Sequence, residues 1–424
     1  MRLELHVLRV EGIGFGDKTR MESHRLNVNR EELKRIILGD ERLRSVDLEL
    51  ALPGDSTRLM PVKDVIEPRC KIGGGGEVFP GLVGGVQTVG KGSTLVLRGC
   101  AVVTVGRVVG FQEGIIDMSG PGADFTPFSR TCNLVLSAKP REGLERHEHE
   151  TALRLAGCRA AEYLARSVKD TAPDLIESYE APSSGMGSGL PRVAYLYLLQ
   201  SQGLLHDTYL YGVDVKRMLP TYLFPTEVMD GAIVSGNCVS ACDKNTTYHH
   251  QNNPVIEELF RLHGQELEFA GVVCSNENVT LLEKERSSWY ASKLVGQLGV
   301  QGVIISKEGF GNPDTDMVMN FRRLNEMGIK TVVITDEFPG ADGASPSLAD
   351  ADPLIDAVVS TGNANQVVEL PAMKRVISDL KMVETLAGGW AGSVYSGGSI
   401  KVELQVITGA TNEMGYNRMG AWGF

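Results

Sequence analysis

The sequence predicts an α/β protein, with a β-rich N-terminal region followed by a Rossmann-like or flavodoxin-like parallel α/β sheet that carries a polar pocket at its strand ends. Three observations predict it. Short β-branched runs separated by Gly, Pro and Asp fill the first third. Short apolar runs alternate with helical patterns in the second half, as in a parallel sheet covered on both faces. Those runs end in Ser, Asn, Asp, Glu or Gly, which suits a ligand site outside the carboxyl ends of the strands.

Along the chain, "MRLELHVLRV", "SVDLELALPG", "STLVLRGCAVVTVGRVVGF" and "TCNLVLSAKP" read as strands. "KIGGGGEVFPGLVGG" lacks the spacing of a phosphate-binding loop and reads as a loop whose glycines reach positive φ. "EGLERHEHETALRLAGCRAAEYLARSVKD" sets Leu153, Leu155, Cys158, Ala161 and Leu164 near helical spacing. His147 and His149 are two apart, do not share a helix face, and read as a solvated helix start. "APSSGMGSGLP" reads as a linker. Then "RVAYLYLLQSQG", "GAIVSGN", "LEFAGVVCSN", "VQGVIISKEG", "KTVVITDE", "DAVVSTGN" and "QVVELP" read as strands, with "RSSWYASKLVGQLG" and "TDMVMNFRRLNEMG" as helices. The expected organisation is a β-rich domain over 1–140, a helix and linker over 141–190, and an α/β domain over 191–424.

The 424 residues exceed one ordinary core. A hydrophobic share of 42% with 22% charged residues is that of a globular protein. The net charge of −11 argues against nucleic acid or an anionic membrane as partner. No run of about 18 apolar residues predicts a spanning helix, and the first residues lack the uninterrupted apolar core of a signal peptide. The seven cysteines include no CxxC. Cys70, Cys100, Cys132, Cys158 and Cys274 read as reduced, mostly buried thiols of a cytoplasmic protein.

The stretch "SGNCVSACDKNTTYHHQNNP", Ser235 to Pro254, concentrates the chemistry. Cys238 and Cys242 with His249 and His250 lie within reach of a zinc site. A CxxxC redox pair and a simple cysteine nucleophile are further readings. The fourth is self-cleavage: a cysteine attacks the preceding carbonyl, the thioester breaks, and the new terminal residue loses sulfur and nitrogen to leave an electrophilic carbonyl. The residues alone leave all four open. The stretch is expected as an exposed loop, with the histidines on the surface at a helix start.

That stretch, with "PVKDVIEPR", "VVGFQEGIIDMSGPGADFTPFS", "LQSQGLLHDTYLYGVD", "FPTEVMDGAIVSGNCVSACDKN", "EGFGNPDTD", "DGASPSLADAD", "GNAN" and "ITGATNEMGY", closely resembles the pyruvoyl-type proprotein subunit of component B of glycine, sarcosine and betaine reductases. The likeness covers nearly the whole chain. It departs from the family in a shorter linker near Ser183 to Gly189 and in "TTYHHQ".

The resemblance implies cleavage between Ala241 and Cys242, with Cys242 becoming the pyruvoyl group and Cys238 as the competing position. It implies reductive removal of the amino group from glycine or an N-methylated glycine toward acetyl phosphate. The carbonyl would form an imine with a primary amine, or an iminium ion with sarcosine, but betaine is quaternary and can form neither. The chain carries no selenocysteine. A selenoprotein subunit of component B is therefore the implied nucleophile, with components A and C and the thioredoxin system as further partners and no metal. Asn237 is read as an oxyanion donor during cleavage. Asp243 and Lys244 are read as proton carriers or a solvated loop pair, and His249 and His250 as a proton relay near neutral pH or as idle surface residues. Glu308, Asn312, Asp314 and Asp316 are read as facing substrate or the selenoprotein, or as a capping segment. Two readings of other classes remain: a non-catalytic scaffold that docks the selenoprotein, and a zinc hydrolase built on Cys238, Cys242, His249 and His250.

Overall fold

The computed structural model describes residues 1–182, 189–203, 205, 208–236, 239–340, 352–417 and 420–422. Asn237, Cys238 and most of the 183–189 linker fall outside the described residues.

The first third is β-rich, as expected. Arg2–Arg9 lies between Leu175–Glu180 and Gly92–Arg98, and Arg69–Gly73 completes this four-stranded sheet. A second sheet runs Gly114–Asp117, Thr57–Ile66, Cys100–Val105, Cys132–Pro140, Leu43–Ala51. The run "STLVLRGCAVVTV" is thus two strands in two sheets. Gly99 turns the chain between them at φ +89, where a Cβ would meet the Val10 carbonyl oxygen at 2.6 Å. Arg375–Ile377 returns from far along the chain to pair with Thr57–Ile66.

Helix Arg146–Arg166 crosses the N-terminal strands and buries Leu153, Ala156, Cys158, Ala161 and Leu164 against them. Its Gly157 permits the close approach: a Cβ there would meet Thr104 Cγ2 at 2.7 Å. His147 is exposed and His149 half-buried at its start. Glycines 74, 75 and 76 of the expected loop hold φ +82, +74 and +81.

The seven-stranded sheet of the second half joins Glu268–Asn276, Arg192–Leu199, Gly302–Ser306, Lys330–Glu337 and Ala357–Asn363 by parallel pairings. Numbered along the chain, these strands stand in the order 2-1-3-4-5. Antiparallel Thr221–Leu223 and Gly420–Trp422 close the edges. Side chains alternate as a pleated strand requires. Ala194, Leu196 and Leu198 face the helices Leu281–Gln297 and Asn312–Glu326, while Tyr195, Tyr197 and Leu199 pack toward Leu3, Leu5 and Val96 of the N-terminal sheet.

Two expected strands lie elsewhere. "GAIVSGN" forms only Ile233–Ser235, antiparallel to Thr208–Leu210 in a small separate sheet. "QVVELP" forms Val367–Leu370, antiparallel to Ile400–Glu403. No helix among the described residues is long and apolar enough to cross a membrane.

Candidate functional site

After Ser235 the chain does not enter an exposed loop. Ala241 is 2% and Cys242 0% exposed, and Asp243 through Gln251 are buried. The backbone N–H groups of Asp243 and Lys244 both donate to the Ser240 carbonyl at 3.1 Å, forming a tight turn. Thr246 then caps the short helix Thr247–Gln251 and Asn253 caps Pro254–Leu262, so each helix start is satisfied locally.

The peptide joining Ala241 to Cys242 is held on both sides by the distant segment 405–411. The Cys242 N–H donates to the Gln405 carbonyl at 3.1 Å, the Gly409 N–H donates to the Ala241 carbonyl at 2.7 Å, and the Thr411 N–H donates to the Cys242 carbonyl at 3.2 Å. Cys242 packs in an apolar cluster with Met60, Ile115, Val406, Ile407 and Ala410. Its thiol donates to Asp243 Oδ1 at 2.8 Å. Burial, then the Asp243 and Asp336 carboxyls, push that thiol well above its ordinary pKa. The sulfur is therefore a protonated thiol and not a preformed thiolate. Cys70 is no readier: Arg69 pairs with Glu67, and burial lifts the Cys70 thiol to about 11.

Acidic groups exceed basic ones around Cys242. The Cys242 sulfur and one oxygen each of Asp243 and Asp336 lie within 4.8 Å of one another. Thr411 donates its hydroxyl to Asp243 Oδ1 at 3.1 Å and lies 3.4 Å from Asp336 Oδ2. Asp336 sits in the Lys330–Glu337 strand, so the cysteine does meet the carboxyl end of the parallel sheet. Burial and the neighbouring Asp243 and Glu413 raise Asp336, and burial raises Glu413 to about 8. Lys307 pairs with Glu413 and, at 2.9 Å, with Asp314, and these carboxylates keep it protonated despite burial.

The histidines are not on the surface. Both are 0% exposed, and burial depresses each to about 3, so neither is charged near neutral pH. His249 Nδ1 accepts the Thr246 N–H at 3.2 Å, which leaves the ring proton on Nε2. His250 Nδ1 bonds the Tyr197 hydroxyl at 2.7 Å. Among the described residues, neither histidine joins Cys242 in a metal-ligating group. Lys244 is likewise buried, and its ammonium bonds the Lys63 carbonyl. The solvated-pair reading of Asp243 and Lys244 therefore fails: the turn on the Ser240 carbonyl carries both into the interior.

Glu308 is buried, and its Oε2 accepts from the Gln200 N–H at 2.7 Å and the Thr208 hydroxyl at 3.2 Å. Asp314 accepts from the Gly311 N–H at 3.0 Å at the helix start, and Asp316 pairs with Lys284. Burial raises Asp316 to about 6. Of the four residues of this stretch, Asn312 alone is exposed.

A family model described as glycine/sarcosine/betaine reductase component B subunits matches residues 1–422. The chain belongs to this family. It is 55% identical over 427 residues to the glycine reductase complex component B subunits alpha and beta of Acetoanaerobium sticklandii, covering 99% of each chain. The protein of the same name from Peptoclostridium acidaminophilum is 53% identical over the full length of both. The sarcosine reductase complex component B subunit alpha of that organism is 51% identical over 99% of each. No solved structure matches the chain.

As a component B chain of an oxidoreductase complex, it holds several site residues that sequence reasoning missed. Gln405, Gly409 and Thr411 hold the backbone on either side of the Ala241–Cys242 peptide, Asp336 lies beside the Cys242 sulfur, and Glu413, bonded to Lys307, accepts from the Asp336 N–H. A signal was present in "ITGATNE": a glycine among small polar residues, with no apolar periodicity, marks a segment kept for backbone contacts rather than for a helix or strand.

Proposed function

We propose that this chain is the substrate-binding, pyruvoyl-dependent subunit of a glycine reductase, matured by self-cleavage into fragments 1–241 and 242–424. The observation that carries the reading is the Cys242 thiol, buried and protonated, donating to Asp243 beside the Ala241 carbonyl. Its fit to the group is chemical. A cysteine directly follows a carbonyl already held by an N–H, and a carboxylate stands ready for its proton.

The pyruvoyl group would supply an electrophilic carbonyl that draws electrons from the substrate C–N bond. The chain's own residues do the rest. Asp243 and Asp336 stand beside the Cys242 sulfur, so carboxyl oxygens are placed to accept hydrogen bonds from a substrate amine. Burial raises both Asp336 and Glu413, the latter to about 8, so Glu413 holds a proton near neutral pH that it can return to the site. Glycine, a primary amine, fits best; sarcosine follows; betaine, being quaternary, cannot condense with a carbonyl. The strand order 2-1-3-4-5 supports a flavodoxin-like reading, whose ligand crevice opens between the first and third parallel strands. Lys307 and Glu308 follow the third of these strands here.

With no selenocysteine in the chain, the nucleophile toward the substrate carbon comes from a selenoprotein subunit, and components A and C with thioredoxin complete the route to acetyl phosphate. Intact mass spectrometry and denaturing electrophoresis test the reading. Two chains are expected, the shorter blocked to Edman sequencing until treated with o-phenylenediamine. A single uncut chain that supports full turnover would overturn it and favour a docking subunit without chemistry of its own.

A further inference from the structure

We infer that the backbone N–H of Gly409 is the oxyanion donor for cleavage between Ala241 and Cys242, acting together with Asp243 as acceptor of the thiol proton. This rests on the reading of Cys242 as the pyruvoyl source and supplies the machinery that produces it.

The Gly409 N–H already donates to the Ala241 carbonyl oxygen at 2.7 Å. When a thiol attacks the carbonyl carbon, that oxygen takes the negative charge. A donor fixed in place, away from water, gains strength as the charge grows and needs no rearrangement. The two other clamping bonds serve different atoms. The Cys242 N–H, on the nitrogen that must leave, points to Gln405, and the Thr411 N–H holds the carbonyl after Cys242. Among the described backbone bonds, Gly409 alone addresses the oxygen that becomes charged.

Local structure aims this N–H. Gly409 stands at φ +77 in a turn closed by the Ala410 N–H on the Ile407 carbonyl at 3.2 Å. A Cβ at 409 would meet His249 Cε1 at 2.9 Å and Nε2 at 3.3 Å, so both the backbone angle and the ring require glycine. The Asn417 side chain donates to the Gly409 carbonyl at 2.5 Å and pins the turn from the other side. Asn237, the donor expected from the sequence, lies outside the described residues.

The step balances without an added reagent. The Cys242 sulfur bonds to the Ala241 carbonyl carbon while its proton passes to Asp243 Oδ1. The oxyanion then collapses, the C–N bond to Cys242 breaks, and Asp243 returns the proton to the departing nitrogen. The product is a thioester isomer of the chain; nothing is oxidised or reduced.

The test removes the N–H and nothing else. The full chain is made by cell-free translation with glycolic acid in place of Gly409, which turns one backbone amide into an ester. A parallel chain carries lactic acid in place of Ala232, whose N–H bonds the Glu227 carbonyl at 3.1 Å outside this turn. Cleavage is followed by electrophoresis and mass. Slowing of about 100-fold or more is expected for the 409 ester, with the 232 ester cutting near the parent rate. Equal rates for the 409 ester and the parent, or equal slowing in both esters, overturn the inference. If the parent itself is not cut at Ala241–Cys242, the reading of Cys242 as the pyruvoyl source fails first, and that result is distinct from either of these.

Discussion

Gly114 lies directly against Ala241: a Cβ added at 114 would stand 2.5 Å from the Thr408 hydroxyl oxygen and closer still to the Ala241 Cβ. The residue before the proposed cut therefore depends on a missing side chain in the strand Gly114–Asp117. Gly114→Ala should shift Ala241 off its bond to Gly409 and slow cleavage at least tenfold. The overpacking should cost about 1–3 kcal/mol. A time course of the two fragments, read beside a thermal melt, checks both.

Cys242→Ala should abolish cleavage. The change removes a buried sulfur from a packed apolar cluster and not a group on an exposed loop, so a stability loss of about 1 kcal/mol accompanies it. Cleavage that survives in this variant but stops in Cys238→Ala would move the pyruvoyl source to Cys238. Urea midpoints and intact masses of both variants separate the two.

The parallel strands were legible because strands buried on both faces must be continuous apolar runs, as in Arg192–Leu199. Thr57–Ile66 was not, although every residue in it is buried. It carries Arg58, Lys63 and Asp64, which look like surface charges until Asp117, Glu150 and Thr247 arrive from far along the chain to meet them. The histidine pair misled for the same reason, since Thr246 gives a local cap but Tyr197 is a long-range partner. Cys242 could be singled out by its neighbours in sequence. The segment that grips it left a weaker trace, the glycine among small polar residues in "ITGATNE", because a run of backbone contacts has no periodicity.

Stability should peak in mildly acidic solution. His249 and His250, depressed to about 3 from 6.5, stay neutral in the fold while the unfolded chain takes up protons below 6.5. Stability therefore falls as pH drops from 6.5 toward 3. Glu413, raised to about 8 from 4.5, keeps its proton in the fold while the unfolded chain has lost it. Stability therefore also falls as pH rises from 4.5 toward 8. His250→Gln should flatten the acid limb and Glu413→Gln the alkaline one. Denaturation midpoints across this range, for each variant and the parent, read the two slopes separately.

Lys307→Met should be severely destabilising. The ammonium is 0% exposed and holds Glu413 and Asp314, so its loss leaves buried carboxyls unpaired at a cost of about 3–5 kcal/mol. The charge-matched pair Lys307→Met with Asp314→Asn should recover part of that loss. A double-mutant cycle on unfolding free energies measures the recovery.

Breaking an unactivated C–N bond needs an electron sink and a strong nucleophile. On the proposed reading this chain supplies the sink through Cys242; it has no selenium, and burial raises the thiols of Cys70, Cys100, Cys132, Cys158 and Cys274 out of the reactive range. The processed protein alone should therefore bind glycine and be fixed to it by borohydride, yet turn none over. Because the carbonyl arises only when the chain is cut before Cys242, fixation should require prior cleavage. Label from glycine should map to the first residue of the 242–424 fragment, and protection against carbonyl reagents should run glycine or sarcosine before betaine. Adding the selenoprotein subunit, the other components and a thiol reductant should restore turnover. Label on a lysine elsewhere, or turnover by this chain alone, would show that the sink and the nucleophile are not divided between two proteins in this way.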